Sequence, residues 1–591
     1  MNPLENFRRE ATEILSLALE EMEVEVSPSL EKASAGFGDA AYPCFSLAKV
    51  LKKSPVWIAQ KLAEICNGVL ERNGRELISG VEAQNGYLNF HYNKQKLSEF
   101  TLSAVVEEGK DFGGGESKSE RIIVEHTSAN PNGPFHVGRA RNPIIGDTLA
   151  RILSFAGWKV ETEYYVNDMG KQAVILYWGA ENLKGKVEEG DWKFSWLDGE
   201  DKEDHRLVPY YQAASRLLET DPAIHQEINR LLEDYEKGNR ELGEAVRGYC
   251  NRVLKGMKRT LYAINITIDR YVYESDFVYS GEVERVIKGL RASPYCREED
   301  GAFYLELEDF GIHGRDTRFF FTRKGGTSLY TTRDLAYHQD KFRRGDRVID
   351  VLGEDHKLQA QQLAIALGEL GEKRRPEVVF YAFVSLPEGK MSTRRGRVVY
   401  FDHLIEEALE RAYHEVEKRR PELSEKEKRR IAMAIGIGAI RYNIARVQME
   451  KAMVFRWEDA LNFEGDTAPF IQYTHARACS ILRKAEEEGK LSMSSPEKAA
   501  RVLTSPHESS LIMEIARLPE VVKECAEGLK IHPLAGYLRE LAGLFNQFYR
   551  ESPVLGAEPE LREARLLLVH AFRTVVSTGL HLLGIEAPEY M

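Results

Sequence analysis

The sequence predicts an α/β protein built on a doubly wound parallel sheet, with a small α+β domain before the sheet and a helical bundle after it. Short apolar runs at 122–124, 319–321, 348–352 and 378–381 are typical of buried strands. Helical spacing follows the first run, and a long polar segment of helical spacing separates it from the later runs. After about residue 403 the pattern is helical, with no clear strand signal.

Length and local composition divide the chain into segments. At 591 residues and 67.3 kDa it is too long for one hydrophobic core, so we expect roughly three or four domains of about 100–200 residues each. We predict a small α+β domain over 1–108 and a flexible, glycine-rich linker over 109–119. A nucleotide-binding sheet domain follows over 120–402, with a helical insertion at about 185–290, and a helical domain occupies 403–591.

Composition excludes several classes of protein. Hydrophobic residues make up 43% and charged residues 29% of the chain, as in ordinary soluble proteins. The first residues lack the apolar stretch of a signal peptide, and no apolar run approaches the ~20 residues of a membrane span, so we expect a cytoplasmic protein without a membrane partner. The six cysteines form no Cys-x-x-Cys pair, which argues against a zinc knuckle or a disulfide framework. A net charge of −12 argues against indiscriminate nucleic-acid binding but not against a specific RNA held by local basic patches.

The first predicted strand leads into a loop and a helix. The loop, 127–134, contains two prolines and a glycine. Apolar residues from Ile144 to Leu153 recur at helical spacing, and Gly157 is the expected stop. The run 160–166 is then the next strand, which gives the repeating unit of a nucleotide-binding sheet.

Two segments have the chemistry of a phosphate site. Residues 135–139 lie between the first strand and its helix, where free backbone N–H groups and the helix dipole favour a bound phosphate. The alternative is a loop histidine that caps a helix. Residues 389–396 form a cationic loop bracketed by glycines, which by itself is more often a solvated face. On the same sheet as 135–139, it becomes a candidate clamp for a triphosphate.

These two segments resemble motifs of class I aminoacyl-tRNA synthetases. Residues 136–139, His-Val-Gly-Arg, are similar to the His-Ile-Gly-His signature, and residues 390–394, Lys-Met-Ser-Thr-Arg, to the Lys-Met-Ser-Lys loop. Further segments resemble arginyl-tRNA synthetases in particular: 125–131, 330–334 and 463–477. The resemblance extends from 37–39 to 588–591, essentially the whole chain. It implies a Rossmann-like class I catalytic domain and a C-terminal all-α anticodon-binding bundle.

The resemblance also implies an arginine pocket lined by Glu125, Ser128, Asn130, Tyr330 and Asp334. The residue types suit this role, because a planar guanidinium with five donors favours carboxylates and amide oxygens around its fork. Taken singly, Glu125 or Asp334 would more often be a helix cap or a surface ion pair.

The ATP contacts and the catalytic set come from the same resemblance. The implied ATP contacts are His136, Gly138, Arg139, Asp355, His356, Lys390, Met391 and Ser392. The implied catalytic residues are His136, Gly138, Arg139, Lys390 and Arg394. Arg139 stands where the class has its second histidine, and Thr393-Arg394 where the loop has its final lysine. A guanidinium supplies charge but cannot act as a neutral imidazole, so the roles of Arg139, Arg394 and Arg395 stay open.

For tRNA, the resemblance assigns the N-terminal domain to the D-loop side of the tRNA elbow. The implied RNA contacts are Asn85, Tyr87, Phe90, Phe470, Tyr473, Arg477 and Met591. Asparagine and aromatic side chains can bond to and stack on unpaired bases. The alternatives are that 85–90 is simply the outer face of a strand and that 470–477 packs into a core.

The reaction implied is the ATP-dependent activation of L-arginine and its transfer to the 3′-terminal ribose of tRNA(Arg). Mg²⁺ is expected on the phosphates, with no metal ligands from the protein and no covalent nucleophile. We expect a monomer. The alternative is a catalytically weak RNA-binding paralogue, for which Arg139 is the only support.

Overall fold

The computed structural model describes most of the chain, namely residues 2–33, 37–73, 76–196, 199, 201–314, 317–385 and 399–591. Among these residues, no helix combines the length and the apolar character needed to cross a membrane.

The N-terminal domain packs helices against one antiparallel sheet. Its elements are α1 (Pro3–Glu21), β1 (Glu31–Lys32), β2 (Ala40–Pro43), α2 (Leu47–Leu51), α3 (Pro55–Asn73), β3 (Ile78–Gln84), β4 (Tyr87–Tyr92) and α4 (Lys94–Glu108). The strand order is β1-β2-β4-β3. The hydroxyl of Ser54 accepts the N–H of Trp57 at 3.2 Å, so the Ser-Pro pair begins α3 by capping and proline geometry. The turn between β3 and β4 uses Asn85 and Gly86, both at positive φ, as a tight hairpin requires.

The central domain is a five-stranded parallel sheet with the order β12-β11-β5-β6-β7. Its elements begin with β5 (Arg121–Glu125), α5 (Arg141–Phe155), β6 (Lys159–Val166), α6 (Lys171–Asn182), α7 (Glu203–Thr220), α8 (Pro222–Glu236), α9 (Arg240–Ala263) and β7 (Arg270–Tyr273). They continue with α10 (Glu274–Tyr279), α11 (Glu282–Arg291), β8 (Cys296–Glu299), β9 (Ala302–Glu306), β10 (Arg318–Phe320), α12 (Tyr330–Arg344), β11 (Arg347–Gly353), α13 (Lys357–Glu369), β12 (Glu377–Tyr381) and β13 (Val384–Ser385). In chain order the sheet reads 5-4-1-2-3, so its direction of winding reverses between β5 and β11, and a doubly wound sheet binds its ligands at that switch point.

The C-terminal domain is helical, as predicted, except for a two-residue strand. Its elements are α14 (Phe401–Arg419), α15 (Glu425–Ala445), β14 (Met453–Val454), α16 (Trp457–Ala460), α17 (Ala468–Glu487), α18 (Pro496–Val502), α19 (Pro506–Ala516), α20 (Leu518–Gly528), α21 (His532–Glu551) and α22 (Pro559–Leu582). β14 pairs with β13, so the bundle is joined to the central domain by backbone hydrogen bonds.

Two strand predictions need correction. The run 319–321 is a strand, but β10 pairs with β9 in a separate three-stranded antiparallel sheet rather than in the central one. The chain reverses at Asp300 and Gly301, both at positive φ, and β8, β9 and β10 form a meander that is separate from the central sheet. The segment 185–290 was expected to be helical throughout, yet it contains β7 of the central sheet. This strand, Arg-Tyr-Val-Tyr, contains three strand-forming residues but is only four residues long, and it follows a long polar segment of helical spacing.

The glycine-rich segment 109–119 is packed rather than free. It begins with a 3₁₀ turn, Gly109–Asp111, and Phe112 is fully buried. Gly115 donates its N–H to Phe155 at 2.9 Å, and a Cβ on Gly115 would lie 2.3 Å from the Ala156 carbonyl oxygen. These glycines allow the segment to pack closely against the backbone at the end of α5. Composition alone does not distinguish this role from flexibility.

Two buried arginines join the central domain to the bundle. Arg141 donates to the carbonyl oxygens of Ala382 and Lys451 at 2.8 Å and of Gln448 at 3.0 Å, and burial lowers its pKa to about 10. Arg441, on α15, is also fully buried and pairs with Asp147 of α5. The orientation of the bundle is therefore tied to the helix that follows β5.

We predict that Gly157→Ala is clearly destabilising. Gly157 follows α5 at φ +96°, and an added Cβ would lie 1.9 Å from the Glu116 carbonyl oxygen, so the cost of positive φ adds to a backbone clash. Gly238 follows α8 at φ +92° with nothing within 4 Å, so Gly238→Ala should cost only about 1 kcal/mol. Thermal unfolding midpoints measure the difference, and equal midpoints for the two variants would contradict the packing of 109–119.

Candidate active site

The candidate site lies at the carboxyl ends of β5 and β11, where the winding of the sheet reverses. Glu125 is the last residue of β5, and Asp350 of β11 is its partner in the parallel ladder. Both side chains are nearly inaccessible to solvent. Two acids on adjacent buried strands require compensating charge, because isolated carboxylates are costly to bury.

A continuous chain of polar contacts supplies that charge. The ammonium of Lys341, on α12, donates to Glu125 Oε2 and to Asp350 Oδ1, each at 2.7 Å. His338, one turn earlier on α12, contacts Asp350 through Nε2 at 2.9 Å and Asp334 through Nδ1 at 3.0 Å. At the other end, Ser128 Oγ donates to Glu125 Oε1 at 2.8 Å. We call these six residues the acid–lysine network.

The network keeps most of its members charged. Burial alone would lower the pKa of Lys341, but Asp350 and Glu125 outweigh it and hold that pKa above its usual value. Burial and Lys341 would likewise lower the pKa of His338, whereas Asp334 and Asp350 raise it to about 10, so this histidine is protonated at neutral pH. Burial raises the pKa of Glu125, an effect that the Lys341 ammonium opposes. With its acids ionised, the network has three carboxylates and two cations, and the partly exposed Asp334 carries the excess negative charge to the mouth of the site.

A further buried acid, Glu274, lies near Asp334 and was missed from the sequence. Glu274 follows β7 and is fully buried; Arg333 donates to its Oε1, while its Oε2 has no hydrogen-bond partner among the described residues. Burial raises the pKa of Glu274 to about 7, and the nearby charge of Asp334 contributes. The hydroxyl of Tyr165 is also buried and unpartnered within the described chain; burial raises its pKa, and the charges of Glu274 and Asp334 add to that effect. Two buried oxygen atoms near Asp334 thus lack a hydrogen-bond partner among the described residues.

The sequence contains a clue to some of these missed residues but not to others. Asp350 interrupts the apolar run 348–352, so an acid inside a buried strand was available as a clue. Lys341 and His338 follow Asp334 by one to two helical turns, but nothing in their spacing distinguishes them from a solvated helix face. Glu274 was hidden because the strand before it was taken as part of a helical insertion.

The turn after β5 forms the phosphate side of the site. His136 Nδ1 accepts the N–H of Gly138 at 3.0 Å, so the neutral imidazole carries its proton on Nε2. The 3₁₀ turn Val137–Arg139 follows, and α5 begins at Arg141, with Pro143 in its first turn. This arrangement directs a ring N–H donor and a helix N-terminus to the same edge.

Arg139 is exposed at this turn. Its backbone N–H donates to the His136 carbonyl oxygen at 3.0 Å, but its guanidinium makes no hydrogen bond or ion pair with another residue that the structure describes. Asp147, one possible partner, instead holds Arg441 and Arg151. Arg139 is therefore available to an anion at the mouth of the site.

The cationic loop lies outside the described residues, and with it the predicted site residues Lys390, Met391, Ser392 and Arg394. Its flanks are described. Before it, Ser385 is paired with Val454 in the two-stranded sheet of β13 and β14. After it, Val399 accepts the N–H of Val137 at 3.1 Å, and Phe401 donates to Phe135 at 2.8 Å. The chain thus returns from the loop directly against the His136 turn.

The other predicted site residues lie around the same edge but outside the acid–lysine network. Asn130 donates to Gln172 at 2.8 Å, and the Tyr330 hydroxyl accepts from Gln359 at 3.1 Å. His356 contacts the same Gln359, and Asp355 and His356 form a 3₁₀ turn directly after β11. Gly353 precedes this turn, where a Cβ would lie 2.4 Å from the Asp355 carboxylate.

The residues predicted to contact RNA differ in exposure. Phe90 is fully buried in the core of the N-terminal domain, so its prediction as an RNA contact is wrong. Asn85 and Tyr87 are accessible at the hairpin, and Tyr87 packs edge-on against the exposed Phe45 at 5.1 Å. Because β4 pairs on both sides, every second side chain along it points into the core.

In the bundle the predicted aromatic face is partly exposed. The guanidinium of Arg477 lies over the rings of Tyr473, at 4.7 Å, and Tyr549, at 4.8 Å. Phe470 packs against the bundle core, the alternative that we kept for it. Met591 packs beside α14 and α15, and Arg420 donates to its carbonyl oxygen.

Comparison with known proteins agrees with this geometry. The chain matches three family models: "Arginyl tRNA synthetase N terminal domain" over 9–92, "tRNA synthetases class I (R), catalytic domain" over 101–457 and "DALR anticodon binding domain" over 471–591. It is 49% identical over 548 residues to an arginine–tRNA ligase of Methanocella arvoryzae, covering 93% of this chain and 92% of the relative.

The chain belongs to the arginyl-tRNA synthetase family. An arginine–tRNA ligase of Methanothermobacter thermautotrophicus is 44% identical, with 99% of both chains covered. The structure of Thermus thermophilus arginyl-tRNA synthetase superposes with a TM-score of 0.80 at 30% identity, covering 99% of this chain and all of that one. The class I synthetase fold and the helical C-terminal domain predicted from the sequence are thereby confirmed.

We predict that Lys341→Met costs about 3–5 kcal/mol of stability, because it removes the cation between Glu125 and Asp350 and leaves Glu125 with no ion-pair partner among the described residues. The same substitution in an exposed ion pair is the matched control: Lys193 pairs with Asp201 at 3.1 Å with both side chains more than half exposed, so Lys193→Met should cost less than about 1 kcal/mol. Urea denaturation midpoints compare the two. If Lys341→Met were no more destabilising than its control, the network would not depend on this ammonium.

Proposed function

We propose how the family's reaction, the ATP-dependent ligation of arginine to tRNA, takes place on this chain. The arginine carboxylate attacks the α-phosphate of ATP, forming a P–O bond and releasing pyrophosphate. A hydroxyl of the terminal tRNA ribose then attacks the arginyl carbonyl and releases AMP. Neither step needs a protein nucleophile, so the side chains contribute positioning and charge.

The observation that carries the substrate assignment is the unpartnered carboxylate oxygen of Glu274 beside Asp334. We assign the arginine guanidinium to the space between these acids, with the Tyr165 hydroxyl as a further acceptor. A guanidinium offers five donors in a plane and pairs with carboxylates at two positions at once. Lysine, with one compact ammonium, would leave an acceptor unpaired at a cost in affinity.

The remaining predicted pocket residues surround this space. Lys341 and Ser128 already hold the two oxygens of Glu125, so Glu125 has only its remaining lone pairs for the ammonium group of arginine. We place Asn130 and Tyr330 at the rim, where each is oriented by a glutamine.

We assign ATP to the edge next to the His136 turn. His136 Nε2, the backbone at Gly138 and the Arg139 guanidinium supply donors for phosphate, and Asp355 with His356 lies on the ribose and adenine side. From the family resemblance, Lys390, Met391, Ser392 and Arg394 complete the phosphate contacts. Mg²⁺ accompanies the phosphates and offsets their charge.

The protein is not assigned a metal site of its own. Among the described residues, two groups of acids and histidines lie close enough to hold an ion: Glu125, His338 and Asp350, and Asp204, His205 and Asp402. Lys341 donates into the first group and Lys202 into the second, at 2.7 Å from an aspartate in each case. Since a lysine ammonium already fills each group, Mg²⁺ is assigned to ATP.

Two exposed aromatic surfaces are assigned to tRNA(Arg). On the N-terminal domain, Asn85 and Tyr87 are accessible at the hairpin, and Tyr87 packs against the exposed ring of Phe45, which suits stacking on unpaired bases. On the bundle, Arg477 between Tyr473 and Tyr549 combines a cation with two rings. We infer a monomer that acts in the cytoplasm. Nothing in the comparisons supports the weak paralogue considered earlier.

We predict that Asp334→Asn and Glu274→Gln each raise the arginine KM about ten- to a hundredfold and leave the ATP KM nearly unchanged, because each removes a charge-assisted partner of about 1.5–3 kcal/mol.

We also predict that the arginine KM depends on pH, because burial raises the pKa of Glu274 to about 7. A guanidinium binds the ionised carboxylate, so the arginine KM should fall about tenfold as pH rises from 6 to 8.

Pyrophosphate exchange, measured with and without tRNA, tests this assignment. Glu274→Gln should flatten the pH profile, whereas Asp334→Asn, the matched control, should keep it because Glu274 still titrates. A parent enzyme whose arginine KM does not change over this pH range, or one that activates lysine equally well, would contradict the pocket.

We predict that Arg139→Ala slows single-turnover adenylation about ten- to a hundredfold while arginine affinity changes little, since the exposed guanidinium binds charge that grows on the phosphates. Arg139→His should retain part of the rate. Arg285, an exposed arginine on α11, is the control, and Arg285→Ala should match the parent. An Arg139→Ala enzyme as fast as the parent would remove this residue from the catalytic set.

A further inference from the structure

Thr127 lies two residues after Glu125, the last residue of β5, and has a strained backbone. Its φ is +75°, in the left-handed region that β-branched residues rarely adopt. Ser128 donates its N–H to the carbonyl oxygen of His126 at 2.9 Å, closing a three-residue turn around Thr127. A γ-turn with positive φ at its centre is rare and unfavourable, so the surrounding structure must hold it.

Asn142 is the side chain that holds this turn. From the first turn of α5, its Oδ1 accepts the N–H of Thr127 at 2.7 Å, and its Nδ2 donates to the carbonyl oxygen of Val351 in β11 at 3.0 Å. One amide thus joins the strained turn to the neighbouring strand. The contact is close because α5 carries Gly146 beside His126, where a Cβ would lie 2.2 Å from the imidazole.

The strained turn determines where the arginine pocket begins. Ser128 follows Thr127 directly, and its Oγ donates to Glu125 and accepts the N–H of Tyr165 at 3.0 Å. If Thr127 relaxed to negative φ, the path of the chain would change immediately before Ser128. The hydroxyl would then leave Glu125, and one end of the acid–lysine network would open.

We propose that Asn142 is a positioning residue for arginine: its amide keeps Thr127 at positive φ and thereby sets Ser128 against Glu125. This inference rests on the pocket assigned above. Asn142 itself need not touch either substrate. Its contribution is backbone geometry, which can be separated from ordinary packing because glycine, unlike alanine, adopts positive φ at little cost.

The test compares two substitutions at Thr127 in a background that lacks the amide. Asn142→Ala should raise the arginine KM roughly ten- to a hundredfold, the scale expected when a contacting group moves by about 1 Å, with the ATP KM close to that of the parent. Adding Thr127→Gly should bring the arginine KM back towards the parent value. Adding Thr127→Ala should leave the arginine KM as high as in Asn142→Ala. Both changes at Thr127 remove the same hydroxyl, which lies 2.7 Å from His126 Nδ1, so they differ only in how readily the backbone adopts positive φ.

Three outcomes would overturn the proposal. One is an arginine KM that does not change in Asn142→Ala, and another is equal rescue by glycine and alanine. The third is an equal rise in the KM values of arginine and ATP, which indicates a general loss of structure. Thermal midpoints give a readout independent of substrate, because the Asn142→Ala, Thr127→Gly variant should unfold above its alanine counterpart.

Ser128→Ala separates this proposal from the pocket assignment. If Ser128→Ala leaves the arginine KM at the parent value, the assignment of Ser128 to the pocket fails, and the midpoint comparison alone decides whether Asn142 holds the turn. If Ser128→Ala raises the KM and Asn142→Ala does not, the pocket stands and the proposal fails.

Discussion

The buried ammonium of Lys341 is the contact on which the rest of the active site depends. It joins the last residue of β5 to the middle of β11 and comes from α12, so it fixes three elements at the point where the sheet changes direction. Without it, two carboxylates on adjacent strands would repel each other in a region that excludes water. With it, Glu125 and Asp350 share a buried cation, and the partly exposed Asp334 carries the excess negative charge of the network.

The two sides of the site are held by different kinds of interaction. On the amino-acid side, ionised groups neutralise one another in a chain from Asp334 to Ser128, so the loss of one member is felt by its neighbours. On the nucleotide side, backbone hydrogen bonds dominate: the chain after the cationic loop pairs with the His136 turn, and the chain before it pairs with the bundle. This division suits the ligands, because a guanidinium needs fixed charge whereas a polyphosphate needs many donors in a set direction.

Much of the fold and part of the site could be predicted from the sequence for physical reasons. Strands β5 and β11 contain apolar runs, because they lie inside the sheet and are buried on both faces, and Gly157 marks the end of α5 through its positive φ. The strand before Glu274 was missed because it is only four residues long and follows three helices directly, so its Tyr-Val-Tyr run was included in the helical segment. Phe90 was misassigned because alternation shows that a strand has two faces but not which face is covered. The pairing of Lys341 with Glu125, 216 residues earlier, has no local signal at all.

Arg141 has a consequence for how the chain can be divided. Three of its four carbonyl partners, at Val447, Gln448 and Lys451, belong to the segment that follows α15, and it has no carboxylate partner among the described residues. A fragment that ended with the sheet domain would therefore leave a guanidinium on α5 with a single acceptor, at the very helix that begins beside the phosphate turn. The family model of the catalytic domain runs to residue 457 and so includes all four of these carbonyl groups. The segment after α15 therefore belongs with the sheet as one unit, because its backbone solvates the charge on α5.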